Sequence, residues 1–232
     1  MYLCLVLLLV KYIKITLQNE ELYMGDVSLV GYHGTCSSAR ANIQRKGLDP
    51  AETHNRSDHW LGQGVYFFEE QGHAHSWALR VTSQKKNIGT FPIVYRADIV
   101  ADEAQVIDFD DNDNISRFIA FARDMQLAIR EECLKKGVGY PILNDETTRA
   151  LFFDYYKREY GIKVMIRTYC WNYDRRVSNA LQYTNDEEKV ETQKNFTRIL
   201  GLRFNERQIC VSDKDCIKNC VIVYDGEEVD VI

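Results

Sequence analysis

The strongest constraint on this chain is a pair of short strands, each abutting a glycine turn and each carrying one polar ring. The first is LVGYHGT, residues 29–35, where β-branched and aromatic residues run from Val27 to His33 and stop at Gly34. The second is GQGVYFF, residues 62–68, where a strand starts at Val65 behind two glycines. A core strand gains nothing by burying an imidazole, and a glycine turn does not require a tyrosine beside it. Between the two, Ser37 or Ser38 can cap a helix through ARANIQRK, which Gly47 is placed to end. The polar stretch AETHNRSDHW then reads as a loop.

Downstream, EEQGHAHSWALRV predicts a helix with Ala74, Trp77 and Ala78 on one face. TFPIVYRADIV reads as a strand, and DFDDNDN as an acidic connection without the glycine and spaced glutamate of a calcium loop. ISRFIAFARDMQLAIREECLKK and ETTRALFFDYYKREYG have helical periodicity, the second opening on acidic residues and closing at Gly161. IKVMIRTYCW is a buried strand, and RQICV and CVIVYDG are two late ones. NYDRRVSNALQYTNDEEKVETQKN reads as a polar insertion. With 232 residues, 45% of them hydrophobic, and no internal repeat, the pattern predicts one α+β domain over residues 24–232.

The formal net charge of −5 argues against a broad phosphate-binding surface but leaves room for a local basic groove. Seven cysteines, an odd number at irregular spacings, fit reduced thiols in a cytoplasmic protein better than a disulfide framework. MYLCLVLLLV is too short for a bilayer, which takes roughly 20 apolar residues, and lacks a signal peptide's basic start. The expected native start is Met24, two codons after the purine-rich codons of Glu20 and Glu21. Residues 1–23 are then a leader or a disordered extension, and no membrane is expected as a partner. All five histidines lie between residues 33 and 75. His73 and His75 would point about 200° apart on a helix, and no cysteine or aspartate completes a zinc spacing, so no metal site is expected.

Taken in order, YHGT at a strand end, a helix closing in GL, then GQGVYF, then a helix carrying AHSWA resemble the core of the ADP-ribosyltransferase superfamily. The resemblance is to the branch with a His-Tyr pair, which includes diphtheria toxin and the poly(ADP-ribose) polymerases. It implies a mixed, split β-sheet core of that type, with flanking helices and a helical insertion, and NAD as co-substrate. By the same resemblance, His33 would bond a ribose hydroxyl. Gly34 would let backbone approach the nicotinamide carboxamide, and Thr35 would add a hydroxyl at that rim. Tyr66 would stack on the cationic nicotinamide, an attraction of roughly 0.5–2 kcal/mol.

Cleavage of the glycosidic bond builds positive charge on the ribose, which a glutamate on a later strand normally stabilises. In NERQICV, Glu206 and Gln208 share one strand face and Arg207 and Ile209 the other. Gln208 is the preferred match for that third position, where the strand pattern begins, with Glu206 one side-chain repeat earlier at the loop edge. A glutamine there implies single ADP-ribose transfer rather than chain elongation, because an amide cannot act as a base.

The resemblance therefore implies a mono-ADP-ribosyltransferase of the small prokaryotic toxin type, part of a toxin-antitoxin or phage-defence system, such toxins often being held in check by an antitoxin. Its acceptor would be RNA, DNA or protein. Arg175, Arg176, Lys189 and Lys194, interleaved with Tyr173 and Tyr183, could touch a nucleic acid or form a solvated loop. The alternative from another class is a degenerate module that binds NAD or ADP-ribose without turnover, which the glutamine favours. An RNA 2′-phosphotransferase is disfavoured by the lack of a basic cluster, and a metal hydrolase comes last.

Overall fold

The computed structural model describes residues 25–53, 59–140, 144–170 and 205–227. The expected leader, His54 and the polar insertion that holds Arg175, Arg176, Lys189 and Lys194 lie outside these residues.

Seven strands form one mixed sheet: β1 (Asp26–Cys36), β2 (Val65–Phe68), β3 (Pro92–Asp102), β4 (Val106–Asp108), β5 (Val164–Cys170), β6 (Asn205–Val211) and β7 (Ile217–Asp225). Their order is β4-β5-β6-β2-β1-β3-β7. β4 and β5 run parallel, and the other neighbours antiparallel. Four α-helices accompany the sheet among the described residues: α1 (Arg40–Lys46), α2 (Gln71–Thr82), α3 (Asn112–Lys135) and α4 (Asp145–Tyr160). The chain is an α+β protein, as its pattern of strands and helices predicts.

Pairing is uneven along the sheet. β1 lies against β3 over its whole length, from Asp26 opposite Asp102 to Cys36 opposite Pro92. Against β2 it keeps a single registered pair, Tyr32 with Phe68. Two well-paired halves, β4-β5-β6-β2 and β1-β3-β7, therefore meet at a narrow seam.

Side chains alternate across a strand, so each face collects its own core. On one face Val65, Phe67, Tyr95, Ile99, Ile209 and Val211 join Leu48 and Cys216 in a continuous cluster. The other face is covered in two pieces. Over one half, α2 lays Ala74 and Ala78 on Phe68 and Val94. Over the other, Phe118, Phe153 and Tyr156 of α3 and α4 pack on Ile107, Met165 and Cys210. Gly34 is what lets α2 settle so low: a Cβ there would stand 1.9 Å from the Ala74 carbonyl oxygen.

Helix ends follow local chemistry. Asn144 caps α4 by accepting from the Thr147 N–H at 2.8 Å, and Gly161 ends it in the left-handed region. Gly47 closes α1 as expected, its N–H bonded to the Ile43 carbonyl. The expected serine cap does not form. Ser37 opens a short 3-10 turn instead, and its hydroxyl accepts from the Phe91 N–H at 3.0 Å while its own N–H donates to the Phe91 carbonyl at 2.8 Å. A partner 54 residues away takes the hydroxyl that local spacing offered to the helix. Among the described residues, no helix is long and apolar enough to cross a membrane.

Candidate functional site

The seam brings the His33 ring to the backbone of Tyr66. His33 sits opposite Tyr95 on β3, one residue past the Tyr32–Phe68 pair. There β1 and β2 part, and the His33 side chain spans the gap: Nδ1–H donates to the Tyr66 carbonyl at 2.8 Å. A carbonyl can only accept, so Nδ1 carries the proton and the neutral ring's acceptor lone pair lies on Nε2. The imidazole meets Phe67 edge-on, with centroids 5.9 Å apart. Thr35 follows two positions along β1, opposite Ile93.

Tyr66 has its hydroxyl committed. It donates to the Gly62 carbonyl and accepts from the Leu61 N–H, both at 2.7 Å. Burial pushes the phenol far above its ordinary pKa, so it stays neutral. The ring is partly buried and packs on the cluster of Leu61, Met165 and Cys210. One of its faces stacks on His59, with centroids 4.8 Å apart and planes 20° from parallel. Sequence reasoning missed His59: it ends a polar loop, and no spacing ties it to Tyr66.

Glu206 and Gln208 share a face of β6, as alternation predicts. Both are buried, at 5% and 7% exposure. The strand starts at Asn205, so Glu206 lies inside it, opposite Tyr169, and not at a loop edge. Gln208 pairs with Phe68 on one side and Arg167 on the other, so Tyr32, Phe68, Gln208 and Arg167 form one row across four strands. The Gln208 amide donates from Nε2 to Glu206 Oε1. Its own Oε1 is a buried acceptor with no donor in reach among the described residues, which costs about 1–3 kcal/mol in a folded protein unless a ligand supplies one. Beyond Glu206, Trp60 packs on Tyr169 at 5.9 Å and the Arg149 guanidinium lies 3.9 Å over the Trp60 ring.

Behind this face, Arg207 reaches Asp108 at 2.5 Å and Asp110 at 3.1 Å. Asp110 also accepts from the Thr168 N–H and hydroxyl, while Asp111 caps α3. The acidic stretch thus fastens β4 to β5 and β6. His73 and His75 do not converge: His75 meets Tyr224 edge-on at 4.3 Å, and His73 lies 3.9 Å from Glu70. Among the described residues no group of three or more His, Cys, Asp or Glu is arranged to hold a metal ion.

No family model and no solved structure matches this chain. It is 32% identical over 87 residues to an uncharacterized protein of Methanocaldococcus jannaschii, MJ0359. The match takes in 37% of this chain and 39% of that protein, so it spans about two fifths of the relative's length.

Proposed function

We propose that the protein is a mono-ADP-ribosyltransferase that takes ADP-ribose from NAD and transfers it to an intracellular macromolecule, on a sheet of the split ADP-ribosyltransferase type. The observation that supports this most is the hydrogen bond from the His33 ring to the backbone carbonyl of Tyr66, 33 positions away, at the seam where the two half-sheets part. A packed core does not require a histidine to bridge a gap in a sheet.

On this reading His33 offers Nε2 to a ribose hydroxyl, and the Tyr66 ring carries the nicotinamide. The His59 imidazole either gives way to that ring or backs Tyr66 from behind. The Gln208 Oε1 acceptor fits a ribose hydroxyl as its missing donor. Glu206, tied to Gln208, supplies the negative charge that a developing ribosyl cation needs. Gly34 fits less simply, because the Ala74 carbonyl fills the space its missing side chain leaves. Its part in the site is then confined to its backbone. A toxin role, an antitoxin partner and a cytoplasmic location belong to the same proposal.

Radiolabelled NAD and a cell lysate test the reading, with wild type compared to a His33→Ala/Tyr66→Ala double variant. Label that depends on both residues supports transfer, and separate digestion with protease, RNase and DNase identifies the acceptor class. One observation favours a second reading, a module that binds NAD or ADP-ribose without turnover: the amide of Gln208 stands in the buried place opposite Phe68. NAD binding by folded protein without nicotinamide release would establish that reading instead.

A further inference from the structure

We propose that Lys157 and Asp154 of α4 are positioning residues for the Tyr66 ring, acting through the Gly62–Gly64 turn. The inference rests on the reading of Tyr66 as the nicotinamide platform. Lys157 is only 7% exposed, an unusual place for an ammonium in a helix whose YYKREY stretch reads as half solvated. Its Nζ donates to the Gln63 carbonyl at 2.6 Å and lies 3.2 Å from Asp154 Oδ1. The same Asp154 oxygen accepts from the Gln63 N–H at 2.7 Å. Both backbone groups of Gln63 are therefore held by one charge pair on α4. Gly62 makes the approach possible: its φ is +78°, and a Cβ would stand 2.4 Å from Asp154 Oδ1.

The two peptide groups that grip the Tyr66 hydroxyl, the Leu61 N–H and the Gly62 carbonyl, belong to the same turn. The path from charge to ring is thus continuous: the α4 pair fixes the Gln63 peptide, the turn fixes the phenol, and the phenol fixes the ring plane. Lys157 Nζ also lies 3.8 Å from the Sγ of Cys210, the residue paired with Tyr66 across β2 and β6. The ammonium of the pair is buried while the Asp154 carboxylate is about one-third exposed, and burying a charge is a poor device for stability, because apolar residues of similar volume often serve as well or better. It is a good device for orientation, since it accepts one geometry of the turn and rejects others.

The test uses the full chain with Lys157→Met, which keeps the apolar stem and loses the donor, and Asp154→Asn, which keeps an acceptor for the Gln63 N–H. Thermal melting first establishes that each is folded, and Asp154→Asn serves alone if Lys157→Met is not. Ring signals of carbon-labelled tyrosine, with Tyr66 assigned by Tyr66→Phe, are read beside steady-state kinetics of NAD consumption. In folded Lys157→Met, Tyr66 signals should shift, and KM for NAD should rise about tenfold while kcat changes less than about threefold. Asp154→Asn should lie between this variant and wild type. Wild-type Tyr66 signals and KM in the folded variants would overturn the proposal and leave the pair as an anchor for α4. If wild type consumes no NAD, the transferase reading falls, and the tyrosine signals still decide the positioning by themselves.

Discussion

The two halves of the sheet are held together by different physics. In the β1-β3-β7 half the tightest contact is backbone on backbone, α2 resting on β1 through Gly34, Ala74 and Ala78, with Arg40 tied to Asp225 and Asn219 to Asp98 at the β7 edge. In the β4-β5-β6-β2 half, polar groups do the fastening: Arg207 binds two aspartates, Tyr66 grips a turn, and Gln208 holds Glu206. Close packing has no tolerance for added volume, whereas a polar tie can be weakened in steps. Added volume is thus excluded most sharply on the α2 side, while the carboxylate and the tyrosine lie on the side fastened by polar groups.

Substitutions can break this contrast or sharpen it. Gly34→Ala should cost the most, about 4 kcal/mol or more, because the clash is with helix backbone that cannot rotate away; urea unfolding would show it. Tyr66→Phe keeps the ring and strands the Leu61 N–H, at about 1–3 kcal/mol near neutral pH. That gap should narrow in alkali. An unfolded phenol ionises near pH ~10 while the buried one stays neutral, so Tyr66 favours unfolding above that pH and phenylalanine removes the effect.

Arg207→Ala should cost about 1 kcal/mol, since its carboxylate partners are only half buried. Gly72→Ala, with nothing within 4 Å of the added methyl, should be neutral or gain up to about 1 kcal/mol; a loss like that of Gly34→Ala would break the comparison. Asp213→Ala should cost less than Arg207→Ala, below about 1 kcal/mol. The Asp215 N–H and then Lys163 hold the Asp213 carboxyl below its usual pKa. Its contribution is therefore present above pH ~4 and disappears as pH falls through the depressed value, which acid melts would follow.

Much of the architecture could be read from local pattern. The histidine strand, the short tyrosine strand, α2 with its alanine face, and the helix running from Glu146 to its stop at Gly161 all follow from period and helix-end signals. What escaped reading depends on partners far away in the chain. Ser37 spends its hydroxyl on Phe91, and Asp110 serves Thr168 and Arg207 rather than solvent. Glu206 belongs to β6 because β5 continues to pair with it as far as Asn205. At the candidate site, the shared face of Glu206 and Gln208 was legible from alternation alone. The stacking of His59 and the burial of Lys157 were not, because each is decided by what the neighbouring elements leave uncovered.

The His33 bridge has a consequence for how the sheet comes apart. Its bond joins a β1 side chain to a β2 carbonyl just past the last registered backbone pair, Tyr32 with Phe68. A ladder loosens one rung at a time, whereas a single tie is either made or broken. Changing one side chain therefore unfastens the half-sheets at this point without removing any rung of the backbone ladders.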